Sequence, residues 1–217
     1  MQIHCYLDPG TAMDFCHGPM DVVAARAVRE LKDRAPDRPA IVAECGAVEA
    51  NHARYSDLYA NDTQGILLHD ILFAPFFSGS AGCGQPWHWD HLYIDRHDLW
   101  YHFGRFARAV KGIDPGEEHF KVFYTETRRL RVYGLKGKHT TLLWCRDKAS
   151  TWESELKNGI PAQIISGEKL KLPVGGPVSC DLLWEDRQIE IPAKNGMIPL
   201  PDFKRSIVLR WASPKSI

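Results

Sequence analysis

A single carboxylate follows an apolar run near the start of the chain. Pro39 opens the run Ala40-Ile41-Val42-Ala43, which leads into Glu44-Cys45-Gly46. A short apolar run of this kind is typical of a strand that is buried on both faces in a parallel sheet. A charge at the C-terminal end of such a strand lies where α/β barrels keep their catalytic groups. Glu44 is therefore the first candidate for catalysis, and a solvated loop carboxylate is the alternative interpretation.

Two tryptophans on either side of a histidine form the second feature with chemical potential. The small-residue segment Gly79–Gly84 opens into Gln85-Pro86-Trp87-His88-Trp89-Asp90. Indole rings stack on the apolar C–H faces of sugars, and an imidazole can hydrogen-bond the surrounding hydroxyls. Trp87, His88 and Trp89 are therefore candidate sugar-binding residues. The alternative is that both indoles, which share a face when they are two residues apart on a strand, belong to the core.

The elements that must position these groups alternate between strands and helices. Gln2–Tyr6 alternates in the manner of a strand, which puts His4 and Tyr6 on one face. Apolar residues at helical spacing predict helices over three later segments. These segments are Asp21–Arg34, Gln64–Phe77 and Asp98–Val110.

The order of these motifs resembles the last three strand-helix units of a clan A glycoside hydrolase, one of the cellulase-like (β/α)8 barrels. The matching motifs are a strand ending in His-x-Tyr, then Pro-x-x-x-x-Glu-x-Gly, then a Gly-rich strand ending in Trp-x-Trp. The resemblance implies that Glu44 is the nucleophile after strand seven and that His4 and Tyr6 hydrogen-bond near it. It also implies that Trp87, with Trp89 as a further candidate, forms an aromatic platform under the sugar.

The chain departs from the family pattern in two ways. An aromatic residue usually stands between the glutamate and the glycine, where this chain has Cys45. More seriously, the family's acid/base glutamate comes after strand four in an Asn-Glu pair, and this chain begins at what resembles strand six and has no Asn-Glu dipeptide. Retaining glycosidases need two carboxyl groups roughly 5 Å apart. Glu49, five residues after Glu44 in a polar loop, is a poor substitute for the acid.

A change of pattern near residue 117 predicts a second domain of short strands separated by turns, which is typical of a β-sandwich. The order of its motifs resembles the small C-terminal sandwich that follows many of these barrels. The predicted fold is thus α/β plus all-β, with a partial (β/α)8 barrel over 1–116 and a β-sandwich over 117–217. The predicted strands are Leu130–Leu135, Thr140–Cys145, Ala162–Ile165, Lys169–Leu172, Val178–Trp184, Gln188–Ile191 and Ser206–Trp211. Turns are predicted at Lys136-Gly137, Asn158-Gly159, Gly175-Gly176 and Asn195-Gly196. A stacking strip of Trp144, Trp152 and Trp184 is an alternative use of this domain.

Composition narrows the classes of partner. The 217 residues carry a formal net charge of zero, so neither a basic nor an acidic field favours nucleic acid as a partner. No apolar stretch reaches the roughly 18 residues of a membrane span, and no signal peptide is visible. We expect a soluble protein, secreted if a missing N-terminal part carries a signal peptide. The six cysteines lack a CxxC pair and the histidines lack HExxH, so we expect reduced thiols, no metal and no cofactor.

Two functional classes follow from the sequence. The first is a retaining glycoside hydrolase acting on a poly- or oligosaccharide, represented by its C-terminal portion and inactive alone. Its missing N-terminal half-barrel, or self-association, would complete the site. The second is a noncatalytic carbohydrate- or protein-binding protein built on a degenerate half-barrel and sandwich. A flavodoxin-like fold is disfavoured, because no Gly-rich phosphate loop follows an early strand.

Overall fold

The computed structural model describes residues 1–174 and 176–213, which form two compact units of mixed helix and sheet. The first unit comprises Met1–Arg108 together with Thr151–Ile160. The second comprises Ala109–Ser150 and the described residues from Pro161 onward. Thr151–Ile160 thus belongs to the first unit, although the segments on either side of it belong to the second.

The first unit alternates strands and helices. Strands β1 (Gln2–Leu7) and β2 (Ile41–Ala47) are parallel, with a register shift between Ile3 and His4. The helices predicted from periodicity correspond to α1 (Met20–Arg34), α3 (Ile66–Phe77) and α4 (Tyr101–Ala109), and a short α2 (Leu58–Asn61) precedes α3. Single helical turns of other types span Asp14–His17, Ala50–His52 and Glu153–Lys157.

The Gly-rich segment before the tryptophans runs parallel to β2 without forming a regular strand. Its backbone exchanges hydrogen bonds with β2, from Gln85 N to Val42 O at 3.0 Å and from Cys45 N to Gln85 O at 2.8 Å. A single parallel bridge joins Cys45 and Pro86. These parallel segments lie side by side, and over the described residues the strands of this unit do not close into a barrel.

The two longer helices of this unit bury different fractions of their surface. Helix α1 packs on β1 and β2 through an apolar stripe that includes Val23, Ala27 and Leu31, as its amphipathic pattern predicts. Helix α3 is buried along its whole length, and apart from His69 and Asp70 all of its residues are apolar. Asp62 caps α3, since its carboxylate accepts hydrogen bonds from the Ile66 and Leu67 amides.

The second unit is built on a six-stranded antiparallel sheet in the order β3-β4-β5-β10-β7-β8 and a two-stranded ribbon of β6 and β9. A short helix, α5 (Pro115–Glu118), precedes the sheet. The strands are β3 (Lys121–Glu126), β4 (Leu130–Lys136), β5 (Thr140–Asp147), β6 (Lys169–Lys171), β7 (Val178–Leu182), β8 (Arg187–Ile191), β9 (Met197–Pro199) and β10 (Ser206–Ala212). Leu170 of β6 and Ile198 of β9 join one apolar cluster with residues of the large sheet, such as Val132, Leu143 and Leu209.

Three local predictions for this unit differ from the structure. Ala162–Ile165 is not a strand, because only Ile165 pairs, in a single bridge with Phe203. The predicted strand Val178–Trp184 ends at Leu182. Strand β3 was not predicted, since nearly all of its residues are exposed and its apolar pattern is weak. In the turn predicted at Gly175-Gly176, Gly175 lies outside the described residues. The finer assignments, partial barrel and β-sandwich, stay predictions.

Candidate functional site

Glu44 meets two side chains of β1 on the exposed face of β2. The Tyr6 hydroxyl donates a hydrogen bond to Glu44 Oε2 at 2.6 Å, and His4 Nδ1 lies 3.0 Å from the same oxygen. The parallel register pairs His4 with Glu44, and alternation along β1 brings Tyr6 to the same face. The sequence-predicted trio of Glu44, His4 and Tyr6 is therefore in direct contact. Its catalytic and substrate-binding roles stay predictions.

The trio is accessible to solvent, and its tyrosine is held in the protonated form. The side chains of His4 and Glu44 are 46% and 25% exposed, so a ligand can reach the carboxylate. Burial, together with the hydrogen bond to Glu44 and its charge, raises the pKa of Tyr6 far above its ordinary value of 10.0. The phenol therefore keeps its proton and acts as a donor to the carboxylate. Both of these contacts are with Oε2, and neither of them involves Oε1.

The loop after β2 supports Tyr6 from the other side. The His52 ring meets the Tyr6 ring edge-on at a centroid separation of 4.6 Å. His52 and its neighbour Asn51 both adopt left-handed backbone conformations, with φ of 59° and 58°. Asp8 holds this loop, because its Oδ1 accepts hydrogen bonds from the amides of Asn51 and Gly10. No sequence pattern indicated a role for His52, since its placement depends on these two backbone conformations.

Gly46 is required at its position because a tyrosine fills the space that a side chain would occupy. A Cβ on Gly46 would lie 2.5 Å from the hydroxyl oxygen of Tyr59. That hydroxyl accepts a hydrogen bond from the Ala47 amide at 2.6 Å, and Tyr59 is 2% exposed. Burial raises the pKa of Tyr59 well above its usual value, so this hydroxyl stays neutral. Tyr59 thus fixes the backbone two and three residues after Glu44.

Trp87 lies on the same face as Glu44. The bridge between Cys45 and Pro86 puts the neighbours Gly46 and Trp87 together on the opposite side from the buried Cys45. Trp87 is 49% exposed and Trp89 is 63% exposed, so neither indole belongs to the core. Both are available for stacking on a ligand.

His88 packs against tyrosines. Its ring meets the rings of Tyr59 and Tyr55 at centroid separations of 5.3 and 5.7 Å. Burial lowers the pKa of His88, although the nearby charge of Asp90 opposes this effect. A neutral imidazole is thus favoured here. Because Tyr59 also contacts Gly46, it connects the Glu44 end of β2 to the segment that carries the tryptophans.

The only acid candidate that the sequence offered is used within its own loop. Glu49 Oε1 accepts a hydrogen bond from the Asp57 amide at 2.9 Å, and the Glu49 amide donates to Arg54 O. Arg54 and Asp57 form an ion pair at 2.7 Å next to it. These contacts give the Glu49 carboxylate a structural role in the turn before α2.

The tryptophans of the second half do not form a stacking strip. Trp144 is fully buried and stacks on Tyr133 at 5.2 Å. Trp184 donates its indole N–H to Ser206 Oγ at 3.2 Å. Trp152 belongs to the first unit, where its indole N–H donates to Gly18 O at 3.0 Å. Each indole is therefore committed to packing or to a local hydrogen bond.

No family model matches the sequence. The chain is 30% identical over 114 residues to neuronal acetylcholine receptor subunit alpha-6 of Pan troglodytes, and 29% identical over 114 residues to the same subunit of Homo sapiens. Each match covers 50% of this chain and 22% of the receptor subunit, so the chain spans about a fifth of the length of these curated relatives. These likenesses are too short to show a family. Over the described residues, no helix has the length and apolar character needed to cross a membrane.

Proposed function

We propose that this chain is the C-terminal portion of a retaining glycoside hydrolase in which Glu44 is the nucleophile. The observation that supports this assignment most directly is that the Tyr6 hydroxyl and His4 Nδ1 converge on Glu44 Oε2. A nucleophilic carboxylate must be held in a fixed orientation, and two contacts on one of its oxygens serve this need. The substrate class is a poly- or oligosaccharide.

The proposed mechanism uses the two oxygens of Glu44 differently. Oε2 is held by Tyr6 and His4, while Oε1 attacks the anomeric carbon and the glycosidic oxygen departs. The resulting glycosyl ester is then hydrolysed by water. Trp87 and Trp89 hold the apolar face of the sugar, since both indoles are exposed and Trp87 shares the face of Glu44.

Turnover of natural glycosides requires a second carboxyl group to protonate the leaving oxygen. Glu49 does not fit this role, because its carboxylate accepts the Asp57 amide. We infer that the acid comes from another polypeptide segment, either an N-terminal half-barrel or a second copy of this chain. Among the described residues β1 pairs only with β2, and its other edge is where the strands of such a segment would pair.

The second candidate is a noncatalytic carbohydrate- or protein-binding protein with the same exposed face. The hydrogen bond that Glu49 accepts within its loop favours this second candidate, because it leaves Glu44 without a partner acid. A single carboxylate beside two exposed indoles can bind a sugar without cleaving it. The two candidates differ in whether the carboxylate reacts with a bound sugar.

An activated substrate separates the two candidates in this chain as it stands. A dinitrophenolate leaves without protonation, so hydrolysis of dinitrophenyl glycosides does not require the missing acid. We expect the wild type to release dinitrophenol slowly and Glu44→Gln to release none. In calorimetry, Trp87→Ala should bind oligosaccharide more weakly, whereas Glu44→Gln should bind it as the wild type does. Binding that depends on Trp87 without any release of dinitrophenol would favour the noncatalytic protein. Release that survives Glu44→Gln would overturn the assignment of the nucleophile.

A further inference from the structure

Two thiols lie in contact with each other, each next to a residue of the Glu44 trio. Cys5 separates His4 from Tyr6 on β1, and Cys45 follows Glu44 on β2. The two cysteines pair in the parallel register, and their sulfur atoms are 3.3 Å apart. Both are free thiols, with Cys5 6% exposed and Cys45 fully buried. Neither takes part in the proposed chemistry of the exposed face.

The backbone geometry suits a covalent link between them. Neighbouring strands lie about 4.8 Å apart, which is within the roughly 4.4–6.8 Å between Cα atoms that disulfides span. The sulfur atoms need to approach by a little over 1 Å to reach a bond length of about 2.05 Å. Rotation about the side-chain bonds can supply this movement without separating the strands.

The surroundings of the pair decide which thiol reacts first. Cys5 lines a cavity of about 300 Å³ that includes side chains from both faces of β1, so the cavity lies along the free edge of that strand. Cys45 is shielded from solvent and touches the Met20 thioether at 3.7 Å. The hydrogen bond with Cys5, followed by burial, raises the pKa of Cys45 well above its ordinary value. A small reagent therefore reaches Cys5, and Cys45 is reached through Cys5.

We propose that Cys5 and Cys45 form a redox site in which a peroxide oxidises Cys5 and Cys45 then closes a reversible disulfide between β1 and β2. In the first step the Cys5 sulfur attacks one peroxide oxygen, the O–O bond breaks, and a sulfenic acid and one water form. In the second step the Cys45 sulfur attacks the Cys5 sulfur and expels the hydroxyl as a second water. Two thiols and one hydrogen peroxide thus yield one disulfide and two waters, and a thiol reductant reverses the bond.

The bridge would fasten the two strands that carry the trio. It joins positions 40 residues apart in sequence, which restricts the unfolded chain and stabilises the folded one. It also fixes the register in which His4 and Tyr6 meet Glu44. Oxidation is therefore expected to raise the midpoint temperature of unfolding. This inference stands whether or not Glu44 is a nucleophile.

The decisive experiment maps disulfides in the wild-type chain after treatment with hydrogen peroxide and alkylation of the remaining thiols. We expect a linked peptide pair containing Cys5 and Cys45, loss of these two thiols, and their recovery with a phosphine reductant. Cys45→Ser should leave Cys5 as a sulfenic acid that dimedone traps, whereas Cys5→Ser should leave Cys45 unmodified. Because the wild-type map needs no variant, a folding defect in either variant leaves the test intact.

Two controls sharpen the result. Cys16 lines the same cavity as Cys5 and is the competing thiol. Because Cys16 has no part in the proposed bridge, Cys16→Ser should leave the Cys5–Cys45 bridge unchanged. Cys83 is partly exposed, and its sulfur accepts a hydrogen bond from the Gln85 side chain. It should give a dimedone adduct after peroxide treatment and form no disulfide. A bridge from Cys5 to Cys16, a stable sulfenic acid on Cys5 in the wild type, or no reaction at Cys5 would each overturn the proposal.

Discussion

The strand pair β1–β2 of the first unit and the strand pair β4–β5 of the second unit bury their side chains differently. In β1 and β2 one face is buried, with Cys5, Leu7 and Val42 beneath α1, while His4 and Ile41 on the other face are exposed. In β4 and β5 almost every residue is buried on both faces. A face open to solvent can present ionisable groups to a ligand, whereas a pair buried on both faces uses its side chains for packing. Chemistry is therefore expected on the open face of β1 and β2, and the larger contributions to stability are expected from the side chains of β4 and β5.

Truncation of a side chain in β5 should lower stability more than truncation on the open face of β2. Leu143→Ala removes a fully buried side chain from the apolar cluster and should lower the free energy of unfolding by about 2–5 kcal/mol. Ile41→Ala removes an exposed side chain from β2 and should cost less than about 1 kcal/mol. Urea denaturation of both variants tests the contrast. Equal losses would show that the face of β1 and β2 is covered in solution.

A methyl group at Gly46 should have the next largest effect. Gly46→Ala places a Cβ 2.5 Å from the hydroxyl of the buried Tyr59, so we expect a loss of about 1–3 kcal/mol. Gly82→Ala is the matched control, because its Cβ meets nothing within 4 Å. Thermal unfolding followed by circular dichroism measures both. Unchanged stability in Gly46→Ala would mean that Tyr59 does not fill this space.

Removing the Tyr59 hydroxyl tests the same contact from the other side. Tyr59→Phe keeps the ring and leaves the buried Ala47 amide without its acceptor, which should cost about 1–2 kcal/mol. Tyr55→Phe, at a side chain that is 41% exposed, should change stability by less than about 0.5 kcal/mol. Hydrogen exchange at the Ala47 amide should accelerate in the first variant alone. Retained protection of that amide would rule out the hydrogen bond.

The smallest expected effect on stability comes from the ionisation of Tyr6 at alkaline pH. Burial raises the pKa of Tyr6 above 10.0, and the contact with Glu44 adds to this, so the folded phenol stays neutral where the unfolded one ionises. Its contribution to stability is therefore complete below about pH 10 and is lost as the pH rises further. Ultraviolet titration of tyrosinate should show the same amplitude near pH 10 for the wild type and Tyr6→Phe. A smaller amplitude in the variant would mean that Tyr6 titrates normally.

Local periodicity predicted the elements of the first unit better than the contacts between them. Alternation along β1 predicted that His4 and Tyr6 share a face, and the apolar run of β2 predicted that Glu44 lies at a strand end. That the three side chains meet was implied only by the resemblance to a glycoside hydrolase. The contact between Tyr59 and Gly46 depends on how a loop folds back over β2, which no short pattern encodes. The membership of Thr151–Ile160 in the first unit could not be predicted either. Its sequence indicates only an exposed turn at Trp152, and the hydrogen bond from this indole to Gly18 O joins residues that are far apart in the chain. Strand β3 lacked an apolar signal because five of its six residues are exposed, although Phe123 packs against the apolar cluster.

The most direct test of Glu44 as a nucleophile is covalent trapping. A panel of dinitrophenyl 2-deoxy-2-fluoroglycosides of glucose, mannose, xylose and galactose would be incubated with this chain, and intact mass and peptide mapping would locate any adduct. The fluorine slows hydrolysis of the glycosyl ester, and the activated leaving group removes the need for a second carboxyl group. The account predicts one glycosyl adduct on Glu44 that is absent in Glu44→Gln and weaker in Trp87→Ala. No adduct with any sugar, or an adduct on another carboxylate, would contradict it.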